Sequence, residues 1–185
     1  MAVLGGHPLW AAALVVGCLA QATTAFAQAP APLEANVKAV FLYNFAKYVT
    51  WPGTGKIGER SPAEIRICVT ANDGFFNLLK TAVQGEDVDG RPLLPVALDG
   101  LDAARTCQIL YVGDTKSPDA RAWLSAVRGR QVLTVGDGDT TQDVVIAFVR
   151  DSNRVRFDIN RAVAARHSLN VSSKLLRLAR QVRDR

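Results

Sequence analysis

Histidine, cysteine and serine are the side chains most able to support nucleophilic chemistry, and this chain offers few of them in a useful arrangement. It has two histidines and three cysteines in 185 residues, and beyond residue 27 the only histidine is His167. Any Ser-His or Cys-His dyad would have to use it. Ser168, Ser172 and Ser173 are near it in sequence, but serine at a helix start usually acts as a cap. The sequence therefore predicts no catalytic residues and a non-enzymatic protein.

A turn rich in glycine and aspartate follows the predicted fourth strand and begins like a calcium-binding loop. Asp137, Asp139 and Thr141 match the first three ligand positions of such a loop. Gln142 stands where a sharp turn needs glycine, and Phe148 stands where a bidentate acid is needed. We therefore predict no metal and no cofactor, and interpret the segment as an acidic surface turn. Loops that follow strands of an α/β sheet nevertheless often border ligand crevices.

Three groups of residues are candidates for binding a partner or a ligand. Tyr43, Tyr48 and Trp51 cluster near the end of the first predicted helix. Core packing is the usual role of such residues, and the alternative is a shallow aromatic pocket for a planar ligand or a partner's side chain.

The second group lies on one strand. Arg154, Arg156 and Asp158 alternate with apolar residues and share one strand face. They could pair with each other, or hold an anionic ligand or a partner's carboxylate. The alternative is an exposed edge strand protected from aggregation by its charges.

The third group is a basic stripe near the carboxyl terminus, formed by Lys174, Arg177, Arg180 and Arg183. Such a stripe is most often a solvated helix face. It could instead contact an acidic sensor domain or lipid headgroups.

The first 27 residues have the features of a signal peptide. Residues 9–20 are apolar and too few to span a bilayer, and Ala25-Phe26-Ala27 forms a cleavage site of small residues. We expect cleavage after Ala27, a tether at 28–32 and a single domain at 33–185. Lipidation at Cys18 is the alternative. Export to the periplasm argues against nucleic acid as the partner of this chain, whose formal net charge is +5.

Two cysteines remain after export, Cys68 and Cys107. An even number of cysteines in an oxidising compartment predicts one disulfide, and two free buried thiols are the alternative.

The apolar periodicity predicts an α/β fold. A helix from Leu33 is followed by four strands that alternate with helices, then by two strands joined at Asp151-Ser152-Asn153, and by a last helix at 172–182. This order predicts a mostly parallel sheet with helices on both faces and a late antiparallel hairpin at one edge.

Four segments in this order resemble the YfiR-like periplasmic family. They are residues 37–52 (VKAVFLYNFAKYVTWP), 132–137 (VLTVGD), 153–160 (NRVRFDIN) and 172–179 (SSKLLRLA). The resemblance covers essentially the whole chain after the signal peptide. Family members carry a disulfide in the region of Cys68 and Cys107, and a second pair seen in some members is absent here.

The resemblance implies a function. Members repress an inner-membrane diguanylate cyclase by binding its periplasmic sensor part, which lowers cyclic di-GMP and biofilm formation. The resemblance also implies a homodimer. Because members occur near other sensors and receptors, the alternative is a periplasmic small-molecule-binding protein that serves one of these.

Overall fold

The computed structural model describes residues 1–2, 31–52, 63–70, 74–139 and 141–184. The predicted signal peptide after its first two residues, Cys18, most of the tether and the loop at 53–62 lie outside these residues. Within the described ranges, no helix is both long and apolar enough to cross a membrane.

Five α-helices lie within the described ranges. They are α1 (Ala31–Tyr48), α2 (Gly74–Ala82), α3 (Pro118–Ala126), α4 (Arg161–Arg166) and α5 (Ser173–Leu178), with a 3₁₀ turn at Ala103–Thr106. The starts of α3, α4 and α5 are capped by the side chains of Ser117, Asn160 and Ser172, each accepting a backbone N–H three residues on.

Ten strands form two sheets in the described part of the chain. They are β1 (Val49–Thr50), β2 (Ile65–Val69), β3 (Asp87–Val88), β4 (Arg91–Ala97), β5 (Ile109–Asp114), β6 (Leu133–Asp137), β7 (Ile146–Asp151), β8 (Arg154–Asn160), β9 (Asn170–Val171) and β10 (Gln181–Arg183). The short strands β1 and β9 pair with each other, and the other eight follow the order β10-β8-β7-β6-β5-β2-β4-β3.

The large sheet has the predicted arrangement. Strands β4, β2, β5, β6 and β7 run parallel, and β7 and β8 form the late antiparallel hairpin. Strand β10 adds in parallel outside the hairpin. The mostly parallel α/β fold is therefore confirmed.

The two faces of the sheet carry separate apolar cores because side chains alternate along each strand. On β5, Ile109 and Tyr111 enter the core that α1 and α2 cover, whereas Leu110 and Val112 enter the core that α3 covers. Helices on both faces are thus confirmed.

The predicted disulfide is present. Cys68 lies in β2, and Cys107 lies two residues before the neighbouring parallel strand β5, with 6.0 Å between their Cα atoms. Both residues are buried in the core beneath α3. The bond therefore links β2 to the segment that leads into its neighbour β5.

The end of the chain differs from its prediction. The last helix was expected to reach residue 182, but α5 ends at Leu178 and the chain turns into β10. Ala179 is extended, and the Arg180 N–H donates to the Phe157 carbonyl oxygen at 2.8 Å. Val182, which the helical prediction places on the buried face, is 40% exposed, and Leu178 is 58% exposed.

The start of the fold also differs in detail. The sequence predicts that Pro52 ends the first helix, but α1 already ends at Tyr48, because residues 49–50 pair as β1 with β9. The 3- and 4-residue spacing of apolar residues predicts that Leu33, Val40 and Phe45 share one buried stripe of this helix. Phe45 is buried together with Leu42, but Leu33 and Val40 are 65% and 48% exposed.

Candidate functional site

A large concavity lies where the chain reverses its order in the sheet. From β2 the chain passes through α2 to β4 on one side, and it then returns to place β5 on the other side of β2. In open α/β sheets, ligands bind outside the carboxyl ends of strands at such a switch point. A cleft of about 1010 Å³ occupies that position here.

The cleft is bordered by the carboxyl ends of the central strands and by helices from both faces of the sheet. Its lining includes Val69 and Thr70 after β2, residues 111–114 of β5, Asp137 of β6 and Arg150 of β7, together with side chains of α1, α2 and α3.

A chain of ion pairs forms one wall of this cleft. On α1, the Lys38 ammonium lies 2.8 Å from Glu34 Oε1 and 3.0 Å from Asp137 Oδ2. The Tyr111 hydroxyl donates to the same Asp137 oxygen at 2.7 Å. Arg150 on β7 completes the chain by binding the second oxygen of Glu34.

The pKa values of Lys38 and Glu34 are each shifted toward the charged form. Burial alone would lower the pKa of Lys38, but its contacts with Glu34 and Asp137 outweigh burial and raise it. Hydrogen bonds from Lys38 and Arg150 lower the pKa of Glu34. The ion pairs therefore persist at neutral pH and fasten α1 to the ends of β6 and β7.

The backbone that carries Asp137 is fixed by a close approach between two chain segments. The Thr115 N–H and hydroxyl both donate to the Asp137 carbonyl oxygen, at 3.0 and 2.9 Å. A Cβ at Gly136 would lie 2.4 Å from Thr115 Cγ2, so a larger residue would push these segments apart. Glycine at 136 lets Asp137 reach the cleft wall.

Aromatic rings form much of the remaining surface. The Phe75 ring on α2 lies 4.7 Å from the Tyr111 ring, measured between centroids. Trp123 on α3 is half-buried and packs against the other core. Because α2 and α3 cover opposite faces of the sheet, the cleft has aromatic surface on both sides.

The predicted aromatic cluster lies outside this cleft. Trp51 is buried, and half-buried Tyr48 packs against the first core. The Tyr43 hydroxyl bonds to Glu86, and the Lys47 ammonium lies 3.8 Å from the centre of the Tyr43 ring. The ring contacts of α1 with the strands are made instead by Phe41 and Phe45, which meet Phe148 and Phe157. A pocket formed by Tyr43, Tyr48 and Trp51 stays a prediction.

The three charged residues of β8 have different environments. Arg154 and Arg156 are exposed, whereas Asp158 is buried. Asp158 accepts two hydrogen bonds from Arg180, at 2.9 Å from Nε and 2.6 Å from Nη2. Asp158 thus fixes the segment before β10, and the two arginines stay candidates for partner contacts.

His167 has a structural environment. It follows α4, and its Nδ1 lies 2.8 Å from the Arg130 carbonyl oxygen, so Nδ1 carries the proton. Burial, the largest cause, lowers the pKa of His167, and the charge of Arg166 acts in the same direction.

Lys174 and Arg177 are exposed on α5, and no ion pair of the described residues involves either. Their side chains therefore present positive charge to solvent. The structure does not bring them into the cleft.

Sequence reasoning missed most of the cleft. Of its polar residues only Asp137 had been considered, as a calcium ligand, and its carboxylate instead binds Lys38 and Tyr111. The useful signal is its position at the carboxyl end of a strand, where ligand crevices lie.

The sequence profile of the YfiR/HmsC-like family matches residues 35–180. The chain belongs to this family. The family is periplasmic, regulatory and non-catalytic, and its members act with a membrane sensor or a diguanylate cyclase.

Proposed function

We propose that this protein is a non-enzymatic repressor that binds the periplasmic sensor part of an inner-membrane diguanylate cyclase. Binding would hold the cyclase inactive and so lower cyclic di-GMP and biofilm formation. A signal peptide at 1–27, cleaved after export, would deliver the chain to the periplasm. The observation that carries the proposal is the family match over residues 35–180.

Repression by binding sets an energetic condition. A partner that binds both states of a sensor equally well cannot shift the balance between them. Moving the sensor from about 1% to about 99% inactive requires binding to the inactive state roughly 10⁴-fold more tightly than to the active one. We infer that the repressor contacts a surface of the sensor that differs between these states.

The exposed basic residues of α5 are the proposed docking surface. Lys174 and Arg177 face solvent beside Leu178, an exposed leucine that could bury its side chain against a partner. Arg154 and Arg156 are exposed on β8, the strand that pairs with β10. Positive charge beside an apolar residue fits an acidic sensor surface, because complementary charge steers association and selects the partner.

Charge reversal tests this surface. Affinity-tagged Lys174→Glu, Arg177→Glu protein should capture much less of a membrane protein with a diguanylate cyclase domain than wild type captures from solubilised inner membranes. The matched control is Lys80→Glu, Arg128→Glu, the same charge change at exposed positions elsewhere. The control should capture the cyclase normally. Equal capture by both variants would exclude the α5 surface, and no cyclase in any capture would count against repression by binding.

The second candidate is a small-molecule-binding protein that serves another sensor or receptor. The observation that favours it is the cleft at the switch point of the sheet. It predicts a ligand-dependent rise in melting temperature.

A further inference from the structure

We propose that the cleft at the carboxyl ends of β2 and β5 binds an organic cation: an amine or quaternary ammonium group on an apolar or aromatic body. The proposal concerns a different surface from the docking residues of α5 and holds whether or not the partner is a cyclase.

The charge of the cleft is opposite to that of the whole chain. Five carboxylates line it against two cations, on a chain whose formal net charge is +5. A local concentration of one sign of charge in a concave site attracts ligands of the other sign. Its carboxylates are Glu34, Asp99, Asp114, Asp119 and Asp137.

Neither cation of the cleft is available to an anionic ligand. Lys38 lies between Glu34 and Asp137, and Arg150 binds Glu34. By contrast, no ion pair of the described residues involves Asp99, Asp114 or Asp119. The carboxylates that remain without a cation would favour a positively charged ligand and repel an anion.

The carboxylates do not form a metal site. Within the described ranges, no three histidine, cysteine, aspartate or glutamate side chains come together as ligands of one metal ion. The cleft, about 1010 Å³, also has the volume of a site for a small organic molecule. Separated negative charges around a large cleft suit a cation with an extended body.

The aromatic walls supply contacts for that body. Phe75 and Tyr111 border the cleft from one face of the sheet and Trp123 from the other. The faces of such rings attract ammonium groups, and the rings bury apolar ligand surface.

The test uses a matched series of probes on the exported protein. Phenethylamine, 2-phenylethanol and 3-phenylpropionate share a phenyl ring and a short chain and differ in charge, and spermidine is a cation without a ring. Isothermal titration calorimetry should show saturable binding of phenethylamine, weaker binding of spermidine and none of 3-phenylpropionate. Added salt should weaken the binding of phenethylamine, because salt screens the attraction between exposed charges.

Variants locate the binding. Asp99→Asn, Asp119→Asn should raise the Kd for phenethylamine by about threefold to tenfold, since each exposed carboxylate contributes a modest factor to binding an ammonium group. Asp89→Asn, Asp143→Asn makes the same charge change at exposed positions outside the cleft lining and should leave the Kd unchanged. Trp123→Leu should weaken the binding of phenethylamine, which has a ring, more than the binding of spermidine, which has none.

Three outcomes would overturn the proposal. The first is no saturable binding of either amine, the second is binding of 3-phenylpropionate as tight as that of phenethylamine, and the third is equal Kd values for the cleft variant and its control. If the wild-type protein binds neither amine and Asp99→Asn, Asp119→Asn loses cyclase capture, the cleft would be assigned to a protein partner. Failure of cyclase capture alone would leave the amine titration unaffected, so the two proposals fail separately.

Discussion

Asp158 and Arg180 show how a single side-chain pair can fix the path of the chain. Asp158 is 1% exposed and binds Arg180 through two hydrogen bonds. Arg180→Ala would leave this carboxylate buried without its cation, which costs about 3 kcal/mol, the low end for buried pairs because Arg180 is one-third exposed. Urea unfolding of Arg180→Ala should show this loss.

The control is an exposed ion pair. Asp102 and Arg105 lie 3.3 Å apart with side chains 91% and 47% exposed, so Arg105→Ala should change the free energy of unfolding by less than about 1 kcal/mol. Equal effects of the two substitutions would show that the Asp158 pair contributes no more than a surface pair.

His167 gives the fold a pH dependence. Because burial lowers the pKa of His167 below its ordinary 6.5, the folded state favours the neutral ring. Its contribution to stability is complete above about pH 6.5 and is lost as pH falls, since the unfolded state takes up the proton first. Stability should therefore decrease from pH 7.5 to 5.5 through His167, by at most about 1.4 kcal/mol.

Thermal unfolding of wild type and His167→Asn at the two pH values checks this. The asparagine amide can still donate to the Arg130 carbonyl oxygen but does not titrate, so the decrease should become smaller. An identical decrease in both proteins would assign it to other groups.

At the scale of elements, the disulfide joins β2 to the segment that enters β5. It closes a loop with a sequence separation of 39 residues, and the chain-entropy relation gives about 4 kcal/mol for a loop of that length. Cys68→Ala, Cys107→Ala should lose about this much free energy of unfolding in urea. We also expect weaker capture of the cyclase, because a less stable domain holds its docking surface less firmly. Native stability and full repression in this variant would contradict both expectations.

The hairpin between β7 and β8 predicts a stabilising change. Ser152 and Asn153 both have positive φ, at 47° and 64°, which is the geometry of a type I′ turn. Asn-Gly suits such a turn better, so Ser152→Asn, Asn153→Gly should raise the free energy of unfolding by up to about 1 kcal/mol. Thermal unfolding measures this change in stability. A lower melting temperature would show that the substitution removes a contact of Ser152 or Asn153 that stabilises the fold by more than the improved turn does.

The sequence predicted the elements better where their signals are local. The central strands alternate or are continuously apolar, and the hairpin turn carries residues that tolerate positive φ, so both were predicted. The end of α5 depends on the contact of Arg180 with Asp158, which is 22 residues away in sequence. A helical periodicity cannot show that contact, so Val182 was assigned to a helix face instead of β10.

At the scale of the whole molecule, the cleft exists because the strand order reverses beside β2. Lys38 and Asp137 are 99 residues apart in sequence and meet only through this topology. The order of strands and helices along the chain predicts the fold class. It does not predict the order in which the strands lie side by side in the sheet. The candidate residues chosen from the sequence therefore lie in the core or on other surfaces, and the cleft residues emerged only from the three-dimensional arrangement.

Family membership and fold together describe a regulator with two separate surfaces, an exposed basic helix face on α5 and an acidic cleft. We expect the first to contact a membrane sensor and the second to receive a cation. A ligand that binds the sensor-bound protein more tightly would strengthen repression, and one that binds the free protein more tightly would relieve it. The size of either effect is set by the difference between the two affinities.

The most direct test of repression is the cellular concentration of cyclic di-GMP in a strain lacking the gene, compared with the parent and a complemented strain. Our account predicts a clear rise in the deletion strain that returns to the parental concentration on complementation. Complementation with Lys174→Glu, Arg177→Glu should fail at equal protein abundance. An unchanged cyclic di-GMP concentration in the deletion strain would contradict repression of a diguanylate cyclase by this protein.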